Sequence, residues 1–294
     1  MQARRTAMIA LHIVILLVGW ALVSARQLPL EPSRESGQSI TGAYEGWFGN
    51  PDGSYSLLFG YYNRNTKQEL DIPVGPNNRI EPDGPDYGQP THFLTDRQWG
   101  VFTVTAPRDF GTKKLTWTLT ANGKTTVIPA SLDPLWELAP FIGVGGNAPP
   151  FISFEEGALG VNGPRGHSVS MVTTFPNSLT LTTWLSDDGK LPPTVEDDPA
   201  KPDPLNVRWS KFRGPGAVTF ANSTPAPEKI ERKVTLALAV NGRATTTATF
   251  SEPGEYLLHV LVTDASRHGE KGYQCCWSNA QVKVSVKPGV TSNQ

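Results

Sequence analysis

Cysteine is nearly absent from this chain of 294 residues: there are two, and they are neighbours, Cys275-Cys276. That excludes the multi-bridge framework of small disulfide-rich domains and the C-x2-C spacing of zinc sites. Histidine is also scarce. His92, His167, His259 and His268 lie outside any H-E-x-x-H string, and no serine occupies a G-x-S-x-G elbow, since Gly166-His167-Ser168-Val169-Ser170 lacks the closing glycine. No catalytic residue is assigned, and a triad assembled across the fold is the one arrangement that spacing does not address. Lys and Arg total 26 against 27 Asp and Glu and form no block, so a nucleic-acid partner has no electrostatic footprint. Long helical periodicity is missing as well, and nothing in the residues calls for a cofactor.

What the chain does have is punctuation. Its 26 prolines and 28 glycines separate short segments of alternating apolar and polar residues, the composition of turn-rich antiparallel β-structure. The one sustained apolar run, Ala7 to Val23, follows Arg4-Arg5 and ends at Val23-Ser24-Ala25. These are the three parts of a secretory signal, with cleavage expected after Ala25. An uncleaved anchor is the alternative, because about 17 apolar residues is the short limit for spanning a bilayer. With the signal removed, no stable membrane insertion is expected. No cysteine follows the run, which excludes bacterial lipid attachment there.

Residues 26–39 read as a flexible leader. A first β-sandwich is expected over 40–139, with a hairpin turn at Asn50-Pro51-Asp52-Gly53 and Tyr55, Leu57 and Phe59 on one face. Strands follow at about 99–106 and 114–120, and Asn122-Gly123 offers a two-residue turn into Lys124 to Ile128. The Gly/Pro segment 140–150 reads as a linker, 151–288 as a second antiparallel sandwich, and 289–294 as a tail. The second unit carries two added segments, 194–204 and 225–245. In the latter, Val234, Leu236, Leu238 and Val240 alternate into Asn241-Gly242, which predicts an extra hairpin.

Four strings in the second unit carry a resemblance: NSLTLTTWLSDDGKLPP at 177–193, WSKFRGPGAVTF at 209–220, ATFSEPGEYLLHVLVTDA at 248–265 and VKVSV at 282–286. Over roughly 147–287 the chain resembles the PKD-like branch of immunoglobulin-like domains of exported bacterial proteins. The family's WDFGDG string is absent, with Val207-Arg208-Trp209-Ser210 in its place, and there is one copy where tandem arrays are common. The resemblance implies a sandwich of about seven strands and a noncatalytic role in spacing other domains or binding proteins and glycans.

The candidate site residues lie beside these shared strings. Cys275 and Cys276 are compatible with a vicinal disulfide in a turn, with buried or interchain thiols, or with a redox or metal role. A bridge between neighbours needs a turn because their α-carbons are only about 3.8 Å apart across a trans peptide. A metal reading would enlist His259 and His268, but His259 sits in a strand where it is expected to face solvent. Asp187 and Asp188, with Glu196, Asp197, Asp198 and Asp203, are weak calcium candidates, since loop oxygens suit that ion, and solvation is their plainer reading. Trp47, Tyr61, Tyr62 and Trp277 are the aromatics with a claim to face a ligand; core filling is the competing role of the other aromatics. The expectation is an all-β protein of two antiparallel sandwiches after a signal peptide. It would be exported to the periplasm, cell surface or medium and act there as a noncatalytic binding or scaffold protein, with a protein or glycan partner. An accessory sugar-binding or redox-linked component of an extracellular enzyme system is the alternative.

Overall fold

A computed structural model describes residues 34–82, 84–190, 205–231, 240–264 and 275–289. The signal segment, the acids at 196–203, His268 and the alternating run from Val234 to Ala239 fall outside the described residues.

The first lobe contains β1 (Ile40–Gly49), β2 (Tyr55–Asn63), β3 (Leu70–Asp71), β4 (Asn78–Glu81), β5 (His92–Phe93), β6 (Asp96–Ala106), β7 (Leu115–Ala121) and β8 (Lys124–Ala130). They form antiparallel sheets ordered β1-β2-β6 and β4-β7-β8, with β3 and β5 paired beside them. Local chemistry sets both predicted hairpins. At the first, the Asn50 N–H donates to the Ser54 carbonyl at 2.8 Å, closing the turn between β1 and β2. At the second, Asn122 and Gly123 both have positive φ, 48° and 76°. That is the turn whose twist matches its flanking strands. The core gathers on Trp117, which is fully buried and meets the rings of Phe59 and Phe102 edge-on at 6.0 and 5.2 Å. Its indole N–H donates to Asn78 Oδ1, while the Asn78 amide donates to the carbonyls of Ile72 and Pro90. One buried side chain thus satisfies the backbone of the Pro-rich stretch from Ile72 to Pro90 and ties it to the core.

The second lobe contains β9 (Phe151–Ser153), β10 (Val161–Asn162), β11 (Ser168–Thr174), β12 (Leu179–Asp187), β13 (Leu205–Arg213), β14 (Val218–Phe220), β15 (Glu228–Lys229), β16 (Val240–Phe250), β17 (Gly254–Asp264) and β18 (Trp277–Lys287). One sheet runs β10-β9-β12-β16-β14, with β15 also on β16, and the other runs β11-β18-β17-β13. Leaving out β10, β11 and β15, this is the strand order of the immunoglobulin sandwich, A-B-E-D against C-F-G. Two further marks of that architecture are present. Trp209 on the C-position strand is 2 % exposed, and Tyr256, near the start of the F-position strand, donates its hydroxyl to the Glu252 carbonyl at 2.9 Å. β11 pairs with β18 in parallel, so the fold is all-β with one parallel strand pair among the described, otherwise antiparallel, strands. The apolar positions of β17, Tyr256, Leu258, Val260 and Val262, alternate into the core, as period two requires.

Three local expectations are corrected. Residues 34–39 are not a free leader: the Gly37 and Gln38 N–H groups donate to Gln68 Oε1 and Asn65 Oδ1, pinning them to the turn after β2. The Gly/Pro stretch 140–150 is irregular but anchored. The Asn147 amide donates to Asp264, and the Pro150 carbonyl accepts from Ser278. Asn241-Gly242 is not a turn. Both residues lie inside β16, opposite Ser186 and Leu185, and Ser186 Oγ donates to Asn241 Oδ1 at 2.9 Å. Cross-strand pairing over the length of β12 outweighs the local turn propensity of the dipeptide.

The lobes share material at their joint. Between Lys211 and Arg213 the register of β13 against β17 shifts, leaving Phe212 as the extra residue of a bulge. A bulge re-aims a side chain. While Trp209 fills the second core, Phe212 belongs to the buried cluster of the first. Beside it Lys211 Nζ reaches Asp71 at 2.9 Å, and Arg213 grips both oxygens of Asp86 at 2.8 and 3.0 Å.

Candidate ligand-binding cleft

A second bulge turns a tryptophan outward. β2 and β6 pair Phe59 with Phe102 and then Tyr61 with Gln98, so Gly60 alone stands opposite Trp99, Gly100 and Val101. β1 has its own register shift between Tyr44 and Gly46, leaving Glu45 unpaired next to this point. The Glu45 carboxylate passes over Gly60 to reach β6. One oxygen accepts from Arg97 Nη2 at 2.7 Å and the other from the Gly100 N–H at 2.6 Å. A methyl group at Gly60 would strike both Glu45 Oε1 and the Gln98 carbonyl, so the crossing requires glycine there. Gly100 has φ +53°, and a β-carbon on it would lie 2.6 Å from the Trp277 ring. Burial raises the Glu45 carboxyl above its usual range, against the opposing pull of Arg97 and the Gly100 N–H.

The second lobe holds the same bulge from behind. The Asn279 amide donates to the Gly100 carbonyl at 2.6 Å, and Asn279 Oδ1 lies 3.0 Å from His259 Nε2. His259, expected to face solvent, is buried at the joint, and desolvation lowers its pKa to about 4. The ring is therefore neutral near pH 7, and the Asn279 orientation makes its Nε2 the donor. Between these two clamps Trp99 is left 41 % exposed, with the Arg97 guanidinium stacked 3.9 Å from its ring centroid. A cation held over an indole contributes ~1 kcal/mol at such a site.

Trp99 borders an open cleft between the lobes, made of two hollows of about 660 and 630 Å³ that share Asp96, Arg97 and Arg208. Asn206, Thr224 and Pro225 face it from the second lobe. In the other hollow, His92 spans two carboxylates, Nδ1 at 3.1 Å from Asp71 and Nε2 at 3.0 Å from Glu69. The hydrogen bond from His92 holds the Glu69 carboxyl below its usual range. Arg208 Nη2 donates to Gln98 Oε1 at 2.6 Å, and burial lowers its pKa. Asp96 carries a positive φ of 63°, an uncommon conformation outside glycine, at the rim where the hollows meet.

The predicted ligand-facing aromatics are placed differently from expectation. Tyr61 is buried in the first core, its hydroxyl accepting from the Leu94 N–H, and Trp277 is buried against Gly100. Trp47 is half-buried, donating to the Asp133 carbonyl and meeting Tyr55 edge-on. Tyr62 is exposed, with Arg64 over its ring. The missed platform, Trp99, had a signal in TDRQWG: a glycine that breaks period-two alternation inside a strand marks a bulge.

Cys275 and Cys276 are joined as a disulfide across a cis peptide bond, both buried. Cys276 Sγ lies 3.5 Å from the Asn147 carbonyl, so the bridge packs on the 140–150 segment. The two predicted acids diverge. Asp188 accepts from the N–H groups of Ala148 and Lys190, while Asp187 is buried with Oδ1 unpaired and Oδ2 accepting from the Gly189 N–H. Burial first, then the neighbouring charges of Asp264 and Asp188, push the Asp187 pKa up to about 7. Among the described residues, no group of three or more His, Cys, Asp or Glu side chains is arranged to hold a metal ion.

No protein-family model matches the chain, and no curated protein matches it. Several solved structures are similar in part. A protein of unknown function from Porphyromonas gingivalis W83 is 8% identical, covering 85% of this chain and 100% of its own, at a TM-score of 0.23. Domains 4 and 5 of the S-layer protein SbsC are 12% identical over 85% and 98% of the two chains, at 0.21. CfaE, the adhesive subunit of the CFA/I fimbria of enterotoxigenic Escherichia coli, is 9% identical over 87% and 83%, at 0.24. At these scores none of them bears on what this chain does.

Proposed function

We propose that the protein is an exported, noncatalytic binding protein whose ligand enters the cleft between the lobes. In this reading the second lobe is a PKD-like scaffold, and it helps to build the binding surface. The observation that carries the reading is Trp99, turned outward by a bulge that Glu45 grips from one lobe and Asn279 from the other. Holding a large apolar ring in solvent forgoes its burial, a cost of about 2 kcal/mol that a ligand would recover. Cys275-Cys276 serves as a structural bridge that shapes the corner on Asn147, and its burial speaks against exchange with an external thiol. The signal segment at residues 1–25 directs the chain to the periplasm, the cell surface or the medium.

The test is site-directed photocrosslinking in the native envelope. A photoreactive residue at Asn206 or Thr224 is expected to give discrete adducts, and one at Thr125 on β8 none. Adducts of equal yield at all three positions, or none at any, would refute a ligand in the cleft.

A further inference from the structure

We infer that the cleft takes a neutral saccharide, stacked on the exposed part of the Trp99 indole. The inference rests on the binding reading above and adds the ligand's chemical class.

The first ground is charge. Arg97, Arg208 and Lys211 stand against Glu45, Glu69, Asp71 and Asp96, and most are already engaged. Arg97 pairs with Glu45 at 2.7 Å, Lys211 with Asp71 at 2.9 Å, and His92 bridges Asp71 and Glu69. A site for a phosphate or an acidic polymer would carry a surplus of cations, whereas among the described residues these three cations face four carboxylates. The second ground is the mixture of surfaces. The exposed indole of Trp99 lies among polar groups of both kinds: the Asp96 carboxylate and Asn206 amide as acceptors, Arg208 and the Thr224 hydroxyl as donors. A pyranose presents the complementary pattern, an apolar face of C–H groups for the ring and hydroxyls around its rim that both donate and accept. Cleft size is the third ground. Its hollows fall within the range of small-molecule sites, and their openness leaves room for a longer glycan to run out on either side.

Rigidity supports the same conclusion. Arg97 stacks on one face of Trp99, so the indole is oriented before any ligand arrives, and little side-chain entropy is lost on binding.

The experiment uses the exported chain on an array of neutral, uronic-acid and sulfated oligosaccharides, followed by calorimetric titration of the strongest hit. The expected result is binding to neutral glycans, about tenfold weaker in Trp99→Ala, equivalent to ~1.4 kcal/mol, and largely retained in Trp99→Phe. Saturation-transfer NMR on the unaltered chain covers the case of a misfolded variant: signal should concentrate on the C–H groups of one sugar face. Hits confined to acidic or sulfated glycans, hits indifferent to Trp99→Ala, or no hits would each overturn the ligand class. If cleft crosslinks persist without glycan binding, only the saccharide falls; if both vanish, the binding reading falls with it.

Discussion

Replacing Asp187 by asparagine should make the protein more stable, by an amount that grows from near nothing below the free carboxyl pKa of 3.8 to its full value above about pH 7. The side chain is 2 % exposed at the end of β12, and its pKa in the folded state is about 7, against 3.8 for a free carboxyl. Below 3.8 both folded and unfolded chains hold the proton, and no stability is lost through this group. Between 3.8 and about 7 only the folded chain holds it, so each rise of one pH unit costs ~1.4 kcal/mol. Above 7 the folded chain carries a buried anion next to Asp264, and the accumulated cost levels off at about 4 kcal/mol. Asparagine keeps the shape and can still accept from the Gly189 N–H, but it never ionises. Urea unfolding of both proteins at pH 4.5, 6 and 8 reads the effect as a gap between midpoints that opens with pH at unchanged slope. Titrating groups remote from Asp187 are common to both chains and cancel in the comparison. A gap that stays constant from pH 4.5 to 8 would show that Asp187 titrates normally and refute the reasoning.

Other substitutions probe the bulges and the bridge. Gly60→Ala should destabilise by about 1–3 kcal/mol in chemical denaturation, because the new methyl group displaces the Glu45 carboxylate from its crossing; a neutral result would mean the crossing is not needed. Phe212→Ala removes a buried ring from the first core and should cost about 3–5 kcal/mol, with intrinsic probes in both lobes shifting together; a shift confined to the second lobe would contradict the placement of that ring. In the non-reduced protein, the peptide spanning Cys275 and Cys276 should be lighter by two hydrogens than after reduction, and labelling of both thiols without reduction would rule out the bridge.

Where one strand's own pattern decides the outcome, the sequence was informative. The hairpin of β7 and β8 follows from Asn122-Gly123, and β17 follows from its alternation, because turn geometry and burial on one face are local properties. Tyr61 continues the inward alternation of Leu57 and Phe59 into the first core, a signal the sequence carries, whereas Trp277 is covered by Gly100 of the other lobe, which alternation along its own strand does not show. Asn241-Gly242 looked like a turn until the partner strand β12 was known. The site itself depends on contacts far apart in sequence: Glu45 to Gly100, Asn279 to Gly100, and Arg208 to Gln98. No spacing rule encodes such contacts. The single local trace was the glycine after Trp99, which marks the bulge without saying what the bulge presents.

The bulge at Phe212 also limits how this protein can change over time. Immunoglobulin-like modules are readily shuffled as beads between unrelated neighbours, because each usually closes its own core. Here one strand of the second lobe supplies a ring to the first, so exchanging that lobe for a generic sandwich would open a hole next door. A lineage carrying this arrangement must inherit the pair whole, and its diversity should collect in residues lining the cleft and in the outward loops.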